Sequence, residues 1–192
     1  MKRLIAKKQR GFTIVELLIV IIVIAILAAI IIVAYTGVQK RAYDAKRGLA
    51  ISEYIKLLKM YKVHNGDYPD VELSCLGKKD DYPATSRWVN GRGACVGMDN
   101  GTLVYPIYRV DDALANSFSS LTKSVPKAEY PEFVRQGQVF RGPLYRYMSQ
   151  NFVEINFTTR SGDTNLCAQL GDGTSYHSEV QGDTVFCQIY LR

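Results

Sequence analysis

No proline precedes Pro69, no acidic side chain falls in the first 11 residues, and the 192-residue chain has only two histidines and one tryptophan. The missing proline leaves the first third of the chain without an obligatory helix break. His64 and His177 have no companions and no C-x-x-C occurs, so there is no Cys/His set with the spacing of a zinc site. There is no G-x-S-x-G either, and no arrangement of Ser, His and Asp that assembles a triad. The sequence therefore indicates no catalytic residue, no metal, no cofactor and no enzyme. Asp80 with Asp81, and Asp99 with Asn100, lack the regular ligand spacing of a calcium loop and read as solvated loop chemistry. Gly171-Asp172-Gly173 reads as a turn rather than a phosphate loop.

Charge is unevenly placed. The sequence pI of about 9.1 comes largely from Lys2, Arg3, Lys7, Lys8 and Arg10. Without those five, 19 basic side chains face 18 acidic ones, so net charge gives no argument for nucleic acid as a partner. Arg87-Trp88 with Arg92 is a basic-aromatic cluster of the kind that touches single-stranded DNA, and it reads here as a loop anchored by its tryptophan.

What the chain does have is a long apolar run. Residues 17–34 carry neither charge nor hydroxyl, and as a helix at ~1.5 Å per residue they span about 27 Å. With Phe12 to Val15 added, the segment exceeds the hydrocarbon thickness of a bilayer. A basic start followed by an apolar stretch resembles a secretory signal peptide. The run is too long for one, however, and Ala25, Ala28 and Ala29 lie inside it rather than after it. Glu16 sits at the edge of this run, where an ionised carboxylate is disfavoured by roughly 3 kcal/mol.

The stretch Gly11-Phe12-Thr13-Ile14-Val15-Glu16-Leu17 resembles the class III signal sequence of type IV pilins and pseudopilins. It combines a short basic leader, a Gly-Phe junction, an acid at the fifth position after the junction and an apolar helix. The resemblance covers about residues 1–35. It implies that a membrane-embedded prepilin peptidase cuts between Gly11 and Phe12 on the cytoplasmic side and methylates the new amine of Phe12. A glycine before the bond lets an extended backbone lie close to catalytic groups. The resemblance further implies that Glu16 meets the amino terminus of a neighbouring subunit during filament assembly. Its spacing equally permits a contact with Phe12 one turn away on the same helix, and both readings stand. Many relatives carry a proline in the membrane half of this helix; here Gly37 is the local weak point, at about 1 kcal/mol relative to alanine.

Helical periodicity continues past the apolar run. Val38, Ala42, Ala45, Leu49, Ser52, Ile55 and Leu58 recur at steps of three or four, predicting one amphipathic face, and His64-Asn65-Gly66 supplies a stop. Four segments are expected: a cleaved leader at 1–11, a transmembrane and polymerising half-helix at 12–35, an amphipathic half at 36–62, and a head at 63–192. Five positive charges precede the span and four follow it closely, so charge alone orients it weakly. The four cysteines supply the compartment, since an even number beyond the span suits two disulfides in an oxidising space. Of three possible connectivities, Cys75 with Cys95 and Cys167 with Cys187 each close a local loop.

In the head, residues 70–101 read as a turn-rich stapled loop region, and 102–110 as a strand with Pro106 at an edge or break. Asp111 or Asp112 is expected to cap a short helix bearing Leu114, Phe118 and Leu121. Val153-Ile155-Phe157 and Val185-Cys187-Ile189-Leu191 alternate with the period of strands. Residues 144–148 and 166–170 are expected to pair with them in an antiparallel meander, with a turn across 171–182. One face of that sheet should cover Leu49, Ile55 and Leu58. The predicted fold class is α+β and pilin-like, a long N-terminal helix packed on a small antiparallel head. The predicted function is a structural subunit of a type IV pilus-like filament serving adhesion, motility, secretion or DNA uptake. It would form homo-oligomers or pilin hetero-oligomers, sit in the cytoplasmic membrane before assembly, and be extracellular or periplasmic afterwards. The alternatives are a minor pilin whose head binds a ligand at the filament tip, and a monomeric membrane-anchored surface protein.

Overall fold

A computed structural model describes residues 12–127, 132–171 and 176–192. The architecture is α+β: a long N-terminal helix, α1 (Ile14–Asn65), followed by antiparallel sheets. In chain order come β1 (Leu73–Cys75), β2 (Ala94–Asp99), β3 (Val104–Arg109), α2 (Asp112–Ser117), β4 (Phe133–Arg135), β5 (Gln138–Phe140), β6 (Leu144–Ser149), β7 (Phe152–Thr159), α3 (Asn165–Leu170), β8 (Tyr176–Gln181) and β9 (Thr184–Leu191). The chain divides between Gln39 and Lys40 into two compact units.

In the first unit the described large apolar side chains of α1 are exposed, and among the described residues this is the one helix long and apolar enough to cross a membrane. In the second unit α1 buries Ile51, Tyr54, Ile55 and Leu58 against Tyr145, Val153, Ile155, Phe157 and Ile189 of a five-stranded sheet. That sheet has the order β1-β6-β7-β9-β8. The buried face of α1 follows the stripe read from periodicity at Ile55 and Leu58 but departs from it nearer the membrane half. Val38 and Leu49 are 64% and 68% exposed, while Asp44, Arg47 and Gly48 are buried. The reason is local chemistry. The Asp44 carboxylate accepts from the backbone N–H of Arg160 at 2.8 Å and of Ser161 at 2.7 Å, just past β7. Arg47 bonds Asp44 at 3.1 Å and donates to the Thr158 carbonyl at 3.2 Å. Gly48 lets α3 approach, since a Cβ there would stand 2.9 Å from a Leu166 methyl. A buried ion pair and a glycine make the N-terminal end of the docking face, and Val38, Ala42, Ala45 and Leu49 face away.

Three expectations for the head are corrected. Residues 166–170 form α3, not a strand. Asp163 accepts from the Asn165 N–H at 2.8 Å, and Leu, Ala and Gln following it favour helix. Of the turn expected across 171–182, residues 176–181 are instead β8, paired to β9 from Tyr176–Ile189 to Gln181–Thr184; 172–175 lie outside the described residues. The head also holds two sheets rather than one meander. The second, of order β3-β2-β5-β4, includes β2 from the region read as loop and a β4–β5 hairpin with no sequence signal. That hairpin turns at Gln136 and Gly137, both at positive φ (50° and 78°), the conformation of a type I′ turn more often announced by Asn-Gly.

The cysteine pairs tie these layers together. Cys75 bonds Cys95 with Cα atoms 5.7 Å apart, which joins β1 of one sheet to β2 of the other. Cys167 bonds Cys187 with Cα atoms 5.5 Å apart, which joins α3 to β9. On a chain-entropy estimate each 20-residue separation is worth roughly 3 kcal/mol.

Gly66, at φ 85°, ends α1 by donating its N–H to the Lys62 carbonyl at 2.8 Å. Asp67 then fastens the exit. Its carboxylate accepts from the N–H of Tyr68 and of Asn151, both at 2.7 Å, and from the Tyr147 hydroxyl at 2.9 Å. Desolvation raises the Asp67 pKa, but those hydrogen bonds and the charge of Lys62 outweigh it, and the carboxyl titrates below its ordinary value. A depressed folded pKa means that the unfolded chain takes up the proton first. The stabilisation is therefore complete above the unfolded value of about 3.9 and is lost as pH falls through the lower folded value. Thermal midpoints of the full chain in detergent micelles should fall steeply over that acid window, and Asp67→Asn should flatten the fall. An unchanged profile would remove this role from Asp67.

Candidate functional site

Gly11, the residue before the expected cleavage bond, lies outside the described residues. Phe12, the residue after it, is 81% exposed. The helix begins immediately afterwards, through a reciprocal arrangement. The Glu16 carboxylate accepts from the Thr13 N–H at 2.8 Å and from the Thr13 hydroxyl at 2.7 Å, while Thr13 Oγ1 accepts from the Glu16 N–H at 3.3 Å. The Thr13 carbonyl takes the first intrahelical bond, from Leu17, at 3.2 Å. This is a capping box, which satisfies orphan donors at the start of the helix and sets a negative side chain at the positive end of the helix dipole. Its sequence signal is Thr13-Ile14-Val15-Glu16, a T-x-x-E immediately before an apolar run. The box gives Glu16 an intrahelical partner, Thr13, in a single subunit.

The other residues singled out in the sequence serve the head's own structure. Trp88 is fully buried, with its indole N–H donating to Glu132, so it offers no face for a base to stack on. The Arg141 guanidinium lies 4.0 Å over the Trp88 ring and donates to the carbonyls of Ala94, Pro83 and Gly91, which holds the 83–94 loop in shape. Arg87 pairs with Asp99 and Glu132, and Arg92 with Asp80. Asp81 accepts from the Lys78 N–H at 2.8 Å, closing a short turn. Asp99 is thus held by an arginine and by the Gly101 N–H at 2.8 Å. Among the described residues no group of three or more His, Cys, Asp or Glu side chains is placed to hold a metal ion. Arg141, not Arg92, is the organising cation of this loop, and its position 50 residues away from its Gly91 acceptor gave sequence reasoning no signal.

A long N-terminal helix with a capped, acid-bearing start and an apolar first half, followed by disulfide-bonded antiparallel sheets, is an α+β architecture consistent with a pilin-like fold. Residues 6–32 match the family described as the prokaryotic N-terminal methylation motif, the prepilin-type signal of type IV pilins and pseudopilins. The chain therefore carries the signature of a prepilin-type substrate, and the motif with its long apolar helix fits anchoring in a membrane before assembly. No curated protein and no solved structure matches the chain.

Proposed function

We propose that this chain is a pilin or pseudopilin subunit that prepilin peptidase cuts between Gly11 and Phe12 and methylates on Phe12, and that it polymerises through its N-terminal helix into a type IV pilus-like filament. The observation that carries this reading is the methylation motif at residues 6–32, which overlaps the first half of α1, where the described large apolar side chains from Ile14 to Ile32 are exposed. A helical stretch that exposes apolar side chains along about 27 Å, at ~1.5 Å per residue, is stable in a bilayer or among copies of itself, and not in water. In the proposed division of labour, residues 1–11 address the chain to the peptidase, 12–35 anchor and polymerise, 36–62 carry the head, and 63–192 form its exposed surface. Two cross-linked cysteine pairs support an oxidising space for the head, outside the cytoplasmic membrane. In this reading the chain is the substrate of chemistry done by others, a structural subunit and not an enzyme. In cells whose prepilin peptidase is inactivated, the chain should remain full-length in the membrane and vanish from the sheared surface fraction. Its undiminished presence in that fraction would overturn the reading.

A further inference from the structure

The pattern Asn-x-Ser/Thr with x other than proline, the acceptor signal for N-linked glycosylation, occurs twice in the chain, at Asn100-Gly101-Thr102 and at Asn156-Phe157-Thr158. The fold treats the two oppositely. Asn156 lies in the middle of β7, in register between Leu144 of β6 and Gln188 of β9, and is 6% exposed, with Phe157 and Thr158 buried beside it. A glycan there would have to pass through the packed head, and its transfer would require β7 to leave the sheet. Asn100, by contrast, opens the turn between β2 and β3, whose last pair is Asp99 with Val104. Asn100, Gly101 and Thr102 are all exposed. Gly101 reverses the chain at φ 92°, with open space where a Cβ would stand.

The bonding in this turn divides the Asn100 amide between two tasks. Oδ1 accepts from the N–H of Thr102 at 3.0 Å and of Leu103 at 2.8 Å. The Asn100 backbone N–H donates to the Leu103 carbonyl at 3.1 Å, and Asp99 takes the Gly101 N–H at 2.8 Å. Nδ2 takes part in no hydrogen bond among the described residues. The oxygen therefore holds the turn, and the nitrogen that would carry a sugar is left unencumbered on an exposed tip.

We propose that Asn100 is an N-glycosylation acceptor. In the reaction, Nδ2 forms a bond to the anomeric carbon of an oligosaccharide linked through diphosphate to a lipid. The bond from that carbon to the diphosphate oxygen breaks, the lipid diphosphate leaves, and a base on the transferase takes the amide proton. Thr102 supplies the hydroxyl that the acceptor pattern requires two positions after the asparagine. A sugar chain rooted here stands next to Met98 and Tyr105, paired in register and 45% and 52% exposed, and gives that apolar end of the hairpin a solvated cover. The proposal rests on the head lying outside the cytoplasmic membrane, where secreted chains are glycosylated, and it does not depend on filament assembly.

The test is nonreducing peptide mapping by mass spectrometry of the full chain purified from native cells, beside Asn100→Gln, Thr102→Ala and Thr102→Ser chains made in the same cells. The Asn100 peptide should carry a sugar mass and the Asn156 peptide none. Asn100→Gln and Thr102→Ala should each lose that mass, and Thr102→Ser should keep it, while oxidised cysteine pairs show that each head has folded. A bare Asn100 in a wild-type chain with oxidised cysteines would overturn this proposal alone. A bare Asn100 with free thiols would overturn it together with the external location of the head. A sugar on Asn156, or one that survives in Asn100→Gln and so sits on another residue of the turn, would also overturn it.

Discussion

Cells that make only the Glu16→Ala chain are expected to show no filaments, although the chain still enters the membrane. Removal of the carboxylate eases insertion by roughly 3 kcal/mol, so the loss falls on assembly. Cleavage after Gly11 should largely persist, and processed subunits should accumulate in the membrane. In a helical polymer the same contact recurs at every subunit, so a deficit of a few kcal/mol at one joint is felt at each addition. The capping box with Thr13 sharpens the experiment, because alanine also costs the helix start about 1 kcal/mol. Glutamine keeps a capping acceptor and drops the charge. Loss of filaments with both Glu16→Ala and Glu16→Gln would assign the role to an ion pair with a neighbour's amine. Rescue by Glu16→Gln would assign it to the cap, and wild-type filament yield from Glu16→Ala would leave Glu16 without a role in assembly.

Asp44→Ala should destabilise the head by about 3–5 kcal/mol, the range for removing one partner of a buried ion pair. Asp44 is 5% and Arg47 3% exposed, and the Asp44 carboxylate also takes the two backbone N–H groups beyond β7. Alanine would strand those donors and remove the Asp44 carboxylate from Arg47. The double replacement Asp44→Leu with Arg47→Met should cost less than Asp44→Ala alone, since an apolar pair leaves no buried charge uncompensated. Urea unfolding of the full chain in micelles measures both, and a loss below about 1 kcal/mol for Asp44→Ala would contradict the importance of this latch.

The parts of the molecule that read clearly from sequence are those in which one physical preference acts alone. Residues 17–34 can satisfy their backbone and their apolar side chains together only as a helix in lipid or among helices, and β7 and β9 show the period of two that one buried face imposes. Asp111 and the short helix behind it follow from a single capping bond, to the Ala113 N–H at 2.6 Å. Legibility fails where distant groups decide. Asp44, Arg47 and Gly48 look like a solvent face until the backbone beyond β7 and Leu166 come to meet them. Residues 94–99 became a strand because β3 and β5 flank them, although their own composition suggested a loop. At the N-terminus the cap was spelled in four consecutive letters, and the competing question of charge in lipid hid it.

The most direct measurement is intact mass and N-terminal fragmentation of this chain from filaments sheared off native cells. The expected species lacks residues 1–11 and begins with a Phe12 whose amine carries one methyl group, with both cysteine pairs oxidised. A sheared fraction holding the chain with residues 1–11 still attached, or a chain confined to the membrane in cells that bear filaments, would contradict a processed filament subunit.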